Sequence, residues 1–414
     1  MHYSGWMRLV ERYVGSLVCF VFTIFHRFRP SPKDKALKKI LVIELVEMGA
    51  AVMAYSSLRH IKKEIPDAEI HCLCLKSKRD SWQMLDIIPK GNVHVINDAN
   101  LRTFFFSLLS QVRALSREKF DLIIDYELFL RVSAIIAFLI RAKFRAGYYR
   151  YTMEGMYRGD FYDIRCNFNQ NMHIAKNHLA LTKSAVSLST HYYNYAGRIE
   201  NSEIVVPSYT SDARLKEKVG ARLKELGHKG EPLIIVAPTV GRALSVRDYP
   251  KDSYVAVVQK LIVAYPMHRI VLVGTQEHRA VCEYVNSRTG GRCINMAGET
   301  HSLSELVELF KMGELLISND SGNPHFAAMV GLPTLAIFGP ETPFLYGPLG
   351  KAVCLYEFFH TSPSITAYNH KNPPINDDPS LRAISPDTVV AMAKTIMEGK
   401  AKYGTVNNEI PYIV

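Results

Sequence analysis

"KKILVIELVEMGAAVMAYSSLRHIKKEIPDAEIHCLCL", residues 38 to 75, sets an apolar run behind a basic flank, then a segment whose apolar positions return at helical spacing, then a second apolar run. Uninterrupted apolar runs belong to strands buried on both faces, and a helix-spaced segment between two of them marks a crossover. The stretch reads as strand, helix, strand, which is the repeating unit of a parallel, doubly wound sheet.

The alternation continues outward. "VHVIN" and "FDLIIDYE" (120 to 127) read as strands, with helices expected around 103 to 117 and 129 to 142. The stretch "RAGYYRYTMEGMYRGDFYDIRCNF" (145 to 168) loses periodicity and is rich in Tyr and Arg, a composition suited to clasping a sugar or a phosphate. "NMHIAKNHLALTKSAVSL" then returns to helical spacing. A second alternation starts at "PLIIVAPTV" (232 to 240) and runs through "HRIVLVGT", "CINMAG", "ELLISND" and "LPTLAIFGP", with helices expected at 251 to 264, 277 to 287, 302 to 312, 323 to 330 and 386 to 398.

The expected organisation is an α/β chain with an amino-terminal segment 1–33, a Rossmann-like domain 34–200, a linker 201–231, a second Rossmann-like domain 232–385, and a closing helix and tail 386–414. Such a pair carries its ligand in the cleft at the carboxyl ends of the strands. A length of 414 residues suits two cores, and 48% hydrophobic against 21% charged residues excludes a disordered chain.

A formal net charge of +11 favours anionic partners, and the even spread of Lys and Arg leaves no stripe for nucleic acid. The seven cysteines (19, 72, 74, 166, 282, 293 and 354) lack paired spacing and lie mostly in apolar runs. They read as buried free thiols in a reducing compartment, with no metal site among them.

Residues 13 to 25, "YVGSLVCFVFTIF", are uncharged and strongly apolar. A helix of that length reaches about 20 Å, short of the roughly 30 Å of a hydrocarbon core. With the basic flank Arg27, Arg29, Lys33, Lys35, Lys38 and Lys39 behind it, the segment is expected to be a monotopic or re-entrant anchor on the anionic cytoplasmic face of the inner (plasma) membrane.

The chemistry concentrates at "ISNDSGNPHFAAMVGLP" (317 to 333), where a buried strand ends in a polar turn and a helix opens. Asp320 or Ser321 can cap the helix, Gly322 permits close approach, and N–H groups at a helix start attract a phosphate. A second polar turn, "FGPETPFLYGP", follows the next strand and brings Thr342 beside the first.

The stretch "SNDSGNPHFAAMVGLPTLAIFGPETPFLYGP" resembles the signature of glycosyltransferase family 9, the heptosyltransferases acting on lipopolysaccharide, with Glu341 as a departure before Thr342. "FDLIIDYELFLRVSAIIAFLIRAKFRAGY", "MHIAKNHLALTKSA" and "VGTQEHRAVCEYV" are similar to further family segments, so residues 38 to 400 are covered. The resemblance implies a GT-B fold with the nucleotide-sugar on the carboxyl-terminal domain and no metal or other cofactor. It implies Asp320, Ser321, Gly322, His325 and Thr342 around the diphosphate, Glu277 on the ribose, and Arg242 or Arg247 on the phosphates.

Inverting sugar transfer needs a base for the acceptor hydroxyl and a cradle for the departing diphosphate. The family carries an Asp in the first loop where this chain has Ala50, and Glu44 replaces a basic residue nearby. Glu47 in the same loop, or Asp125 or Glu127 on the adjacent strand, can supply the carboxylate; otherwise the chain binds donor without turnover, as a partner of another transferase. The leading expectation is a membrane-associated transferase moving a sugar from a nucleotide donor to a lipid-linked or cell-envelope glycan. No G-x-G-x-x-G follows either first strand, which argues against a nicotinamide-dependent enzyme.

Overall fold

A computed structural model of the chain describes residues 5–152, 156–188, 197–241, 246–360, 362–363 and 379–404. The chain divides into two compact units, Met1–Val205 and Val206–Val414.

In the first unit β1 (Lys39–Ile43), β2 (Glu69–Leu75), β3 (Val93–Ile96), β4 (Phe120–Asp125), β5 (Ala142–Tyr148) and β8 (Ile164–Cys166) form a parallel sheet in the order β3-β2-β1-β4-β5-β8. The short pair β6 (Arg150–Tyr151) and β7 (Tyr157–Gly159) forms an antiparallel hairpin between β5 and β8. β1 and β4 are buried almost throughout, as strands at the sheet centre require. The helix Leu101–Glu118 starts at Asn100, which accepts the Thr103 N–H while Thr103 reaches back, a reciprocal cap that fixes where the helix begins.

The second unit repeats the plan. β9 (Leu233–Ala237), β10 (Arg269–Leu272), β11 (Cys293–Asn295), β12 (Gly313–Asn319), β13 (Thr334–Ile337) and β14 (Ala352–Leu355) run parallel in the order β11-β10-β9-β12-β13-β14. Its core packs Ile234, Val236, Leu272, Ile317 and Leu335 against Tyr254, Val258, Val389 and Ile396 from the helices.

The expected parallel α/β class stands, and several boundaries differ. Helix Ala213–Glu225 occupies much of the expected linker and packs against Leu303–Lys311 of the second unit. β5 was hidden by Lys143 and Arg145. Arg145 is nevertheless buried, because its guanidinium takes the carbonyls of Ala137, Phe138 and Ile140 at the end of the helix Arg131–Leu139. All seven cysteines are buried and free.

The amino-terminal segment is helical from Gly5 to Arg27, with a π-helical stretch at Val10–Val14. No helix among the described residues is long and apolar enough to cross a membrane. Its last helix, Gly15–Arg27, lies on Arg131–Leu139 and on β7. Gly15 permits the approach, since a Cβ there would stand 3.0 Å from Arg131 Cβ. Glu11 takes the Arg131 N–H and its guanidinium at 2.9 Å, Phe22 stacks on Phe138, and the Thr23 hydroxyl meets Tyr157 at 2.8 Å.

Candidate functional site

In each unit the strand order reverses at the centre of the sheet, between β1 and β4 and between β9 and β12, and the chemistry-bearing residues collect at the carboxyl ends there.

In the first unit β1 runs into Glu44 and the loop holding Glu47, and β4 runs into Asp125 and Glu127. Glu127 is buried, and its Oε1 accepts the N–H groups of Leu45 at 2.8 Å and Val46 at 3.0 Å, which fixes the start of the Glu47 loop. Burial, aided by the charge of Asp125 and Glu47, pushes its carboxyl up to about 7 despite those two N–H groups. Glu44 hydrogen-bonds Glu127 and is pushed well above the ordinary carboxylate range, first by burial and then by the facing charge. Two carboxyls that face each other in a dry pocket favour the protonated form, because two bare charges there repel. Glu47 is exposed on the loop.

Asp125 has a different task. It is fully buried, pairs with Arg158 at 2.6 Å, and accepts from Tyr162 at 2.6 Å, from Ser133 at 3.1 Å and from the Glu127 N–H at 3.1 Å. Arg158 also donates to the carbonyls of Tyr148 and Glu127. With three donors on Oδ2 and one on Oδ1, Asp125 holds β4 and the hairpin together. Arg158 of the Tyr- and Arg-rich stretch is thus turned inward rather than toward a ligand.

In the second unit four adjacent strands, β10, β9, β12 and β13, each deliver a polar residue to the carboxyl edge. Beyond β10 stands Glu277, exposed in the turn Gln276–His278. The loop after β9 carries Arg247 and is pinned at both sides: Asp248 takes the Val240 N–H at 2.6 Å, and Asn319 takes the Tyr249 N–H at 3.1 Å and the Tyr254 hydroxyl at 2.8 Å. Arg247 then reaches Asp320 at 3.0 Å and Glu341 at 2.8 Å.

This corrects the expectation that Asp320 could cap the following helix. Asp320 is turned onto Arg247; burial pushes its carboxyl up, and the guanidinium offsets part of that. Ser321 alone is the cap, accepting the Asn323 N–H at 3.3 Å for the helix Gly322–Ala328, in which His325 is buried. Thr342 precedes the short helix Pro343–Tyr346 and is half-buried. Asp320, Arg247 and Glu341 are brought together, with Ser321, Gly322, His325 and Thr342 on the adjoining turns, while Arg242 lies outside the described residues. Glu341, a departure from the family pattern, and Glu44, a replacement in it, were not among the expected site residues. Both stand among apolar residues in a run that ends at a sheet's carboxyl edge, and that placement was the available signal.

Comparison with known proteins places the chain in a family. Residues 108–369 match the model of glycosyltransferase family 9 (heptosyltransferase). The chain is 25% identical over 328 residues to lipooligosaccharide heptosyltransferase 2 of Haemophilus ducreyi, covering 76% of this chain and 86% of that protein. It is 22% identical over 303 residues to lipopolysaccharide heptosyltransferase 1 of Campylobacter coli, covering 73% and 84%. The fold is similar to that of the E. coli ADP-heptose lipopolysaccharide heptosyltransferase II structure, with TM-score 0.63 and 18% identity over 87% of this chain and 99% of that one. A family 9 glycosyltransferase structure from Veillonella parvula gives TM-score 0.65 and 18% identity over 88% and 100%. The chain belongs to glycosyltransferase family 9 and is a glycosyltransferase.

Proposed function

We propose that the chain transfers a heptosyl group from ADP-heptose to a lipopolysaccharide-type acceptor held in the cytoplasmic face of the inner membrane. The observation that carries this reading is the row of Glu277, Arg247, Asp320 and Glu341 along four neighbouring strands astride the switch point of the second unit. The names of the related proteins supply the donor and the acceptor class.

In this reading Glu47 takes the proton of the acceptor hydroxyl. That oxygen bonds the anomeric carbon from the face opposite the diphosphate, while the carbon–oxygen bond to the diphosphate breaks. Arg247 and the turn at Ser321 and Gly322 receive the charge that leaves. Glu277 holds the ribose hydroxyls, and Glu44 and Glu127 keep the Glu47 loop in place.

Membrane association rests on the outer face of the amino-terminal helices. Leu17, Phe20, Ile24, Phe25 and Phe28 are exposed there, and Phe105 and Phe106 project from Leu101–Glu118, which also packs on Arg131–Leu139. An in-plane helix with an apolar face and cationic flanks suits an anionic bilayer. Arg27, Lys33, Lys35 and Lys38 are exposed and supply that charge. Arg29 is turned to the carbonyls of Ala142 and Lys143, and Lys39 to Glu118 and Glu69, so two of the six expected cations serve the fold instead.

The test is turnover of ADP-heptose with heptose-free lipopolysaccharide, by wild type and by Glu47→Gln. ADP release coupled to acceptor mass gain in the wild type, lost in the variant while ADP still binds, supports the reading. Wild type that binds ADP and never turns over sinks it in favour of a silent partner of another transferase.

A further inference from the structure

At the carboxyl ends of β5 and β8 the first unit forms a half-open cavity of about 410 Å³, lined by Leu128, Tyr148, Tyr149, Tyr151, Thr152, Asn167 and Phe168. The volume lies within the range of small-molecule sites. Leu128 directly follows Glu127, so the cavity lies near the carboxyl edge of β4. Among the described residues, none of its lining side chains is charged. Arg150 and Arg165 lie over the Tyr151 and Tyr149 rings, 5.1 and 5.8 Å from the ring centroids, and the aromatic lining, an amide and hydroxyls match the two aspects of a sugar ring, its C–H faces and its hydroxyl edge.

The outer wall of the cavity is not self-supporting. Thr152 and Tyr151 belong to the short hairpin, and a hairpin of two such strands has little stability alone. The amino-terminal segment holds it. Glu11 fixes Arg131, whose guanidinium reaches the Thr152 hydroxyl at 3.4 Å. Thr23 bonds Tyr157 and accepts the Asp160 N–H at 3.0 Å, and the Tyr157 ring lies edge-on against both Phe20 and Tyr151. One helix thus carries an exposed apolar face on one side and braces the cavity wall on the other.

We propose that this cavity receives the terminal sugar of the membrane-anchored acceptor glycan, and that the amino-terminal helix is a structural part of the acceptor site as well as its link to the bilayer. This rests on the lipid-borne acceptor reading above. The bilayer side of the helix then sets how far above the lipid surface the reacting hydroxyl is presented.

Two readouts test it. Tyr151→Trp places a fluorophore on the exposed rim; titration with de-acylated heptose-free lipopolysaccharide should change its emission saturably, and ADP should not. Asn167→Ala should raise the acceptor KM about tenfold, as expected when a polar partner of a bound sugar is lost, with the ADP-heptose KM unchanged. Glu11→Gln should also raise the acceptor KM. Both Tyr151 and Asn167 are exposed, so the variants keep the fold. Turnover with a silent reporter in Tyr151→Trp, or with acceptor KM unmoved in Asn167→Ala, overturns the cavity assignment and leaves the transferase reading standing. A responsive reporter without turnover leaves the cavity standing and overturns that reading.

Discussion

Asp125 and Arg158 pair at 2.6 Å with neither side chain open to solvent, and together they join the central strand of the first sheet to the hairpin at its edge. Removing one member of such a pair leaves a buried charge uncompensated, at a cost of about 3–5 kcal/mol. Asp125→Ala is expected to lower the melting temperature sharply, and Asp125→Asn to do so less. A catalytic Asp125 would behave in the opposite way, giving an Asn variant of wild-type stability and no turnover; calorimetry beside an activity assay separates the two.

The raised carboxyl of buried Glu127 makes stability depend on pH. Burial raises the Glu127 carboxyl from 4.5 to about 7, so the folded chain binds this proton more tightly than the unfolded one. The stability it contributes is fully present below pH 4.5 and is lost as pH rises through about 7. Glu127→Gln keeps an oxygen for the Leu45 and Val46 N–H groups and removes the charge. The variant should narrow the difference in unfolding free energy between pH 5 and pH 8 by on the order of 2 kcal/mol, read from urea titrations at the two pH values. An unchanged difference would remove Glu127 from the account.

Arg247 spans two carboxylates, Asp320 and Glu341, and only a forked guanidinium makes that geometry. Arg247→Lys should weaken ADP binding by roughly tenfold and lower the melting temperature. Glu341→Gln keeps a hydrogen-bonding group toward Arg247 and removes a negative charge from the seat proposed for the diphosphate. Its ADP affinity should rise by about 1 kcal/mol, roughly fivefold. Isothermal titration of both variants checks the pair, and weaker ADP binding by Glu341→Gln would show that Glu341 positions Arg247 rather than opposing the ligand.

Phe25 and Phe28 are exposed at the end of the amino-terminal helix, so Phe25→Asp with Phe28→Asp should leave the melting temperature within about a degree or two. The same pair should shift the protein from vesicles of anionic lipid to the supernatant on sedimentation. Raising salt should weaken wild-type binding in part, since cations as well as apolar area contribute.

The sequence made the architecture legible wherever burial was complete. The central residues of β1 (40–43), β4 (122–124) and β12 (315–317) are apolar because both faces of the sheet are covered, and the turn at Asp320 stood out because a buried strand ended in a run of polar and small residues. β5 escaped because Arg145 solves its burial through carbonyls at a helix end, a partnership between neighbouring elements that no local pattern announces. The direction of Asp320 escaped for the same reason: capping is local and visible, whereas its pairing with Arg247 depends on Asn319 drawing in a loop some seventy residues earlier in the chain. The role of Glu11 was illegible because a lone acid in an apolar helix signals neither its partner Arg131 nor the hairpin beyond it.

The burial of every native thiol has a practical consequence for tracking this enzyme. Thiol reagents attack the thiolate, and burial pushes the Cys19, Cys166 and Cys282 groups up to about 12, where almost none is ionised near neutrality. A single cysteine added on the surface, at the exposed Phe28 or Arg150, would therefore take a spin label or dye selectively in the otherwise unaltered chain. Depth in the bilayer and movement of the hairpin can then be followed during turnover, with the native thiols acting as silent background.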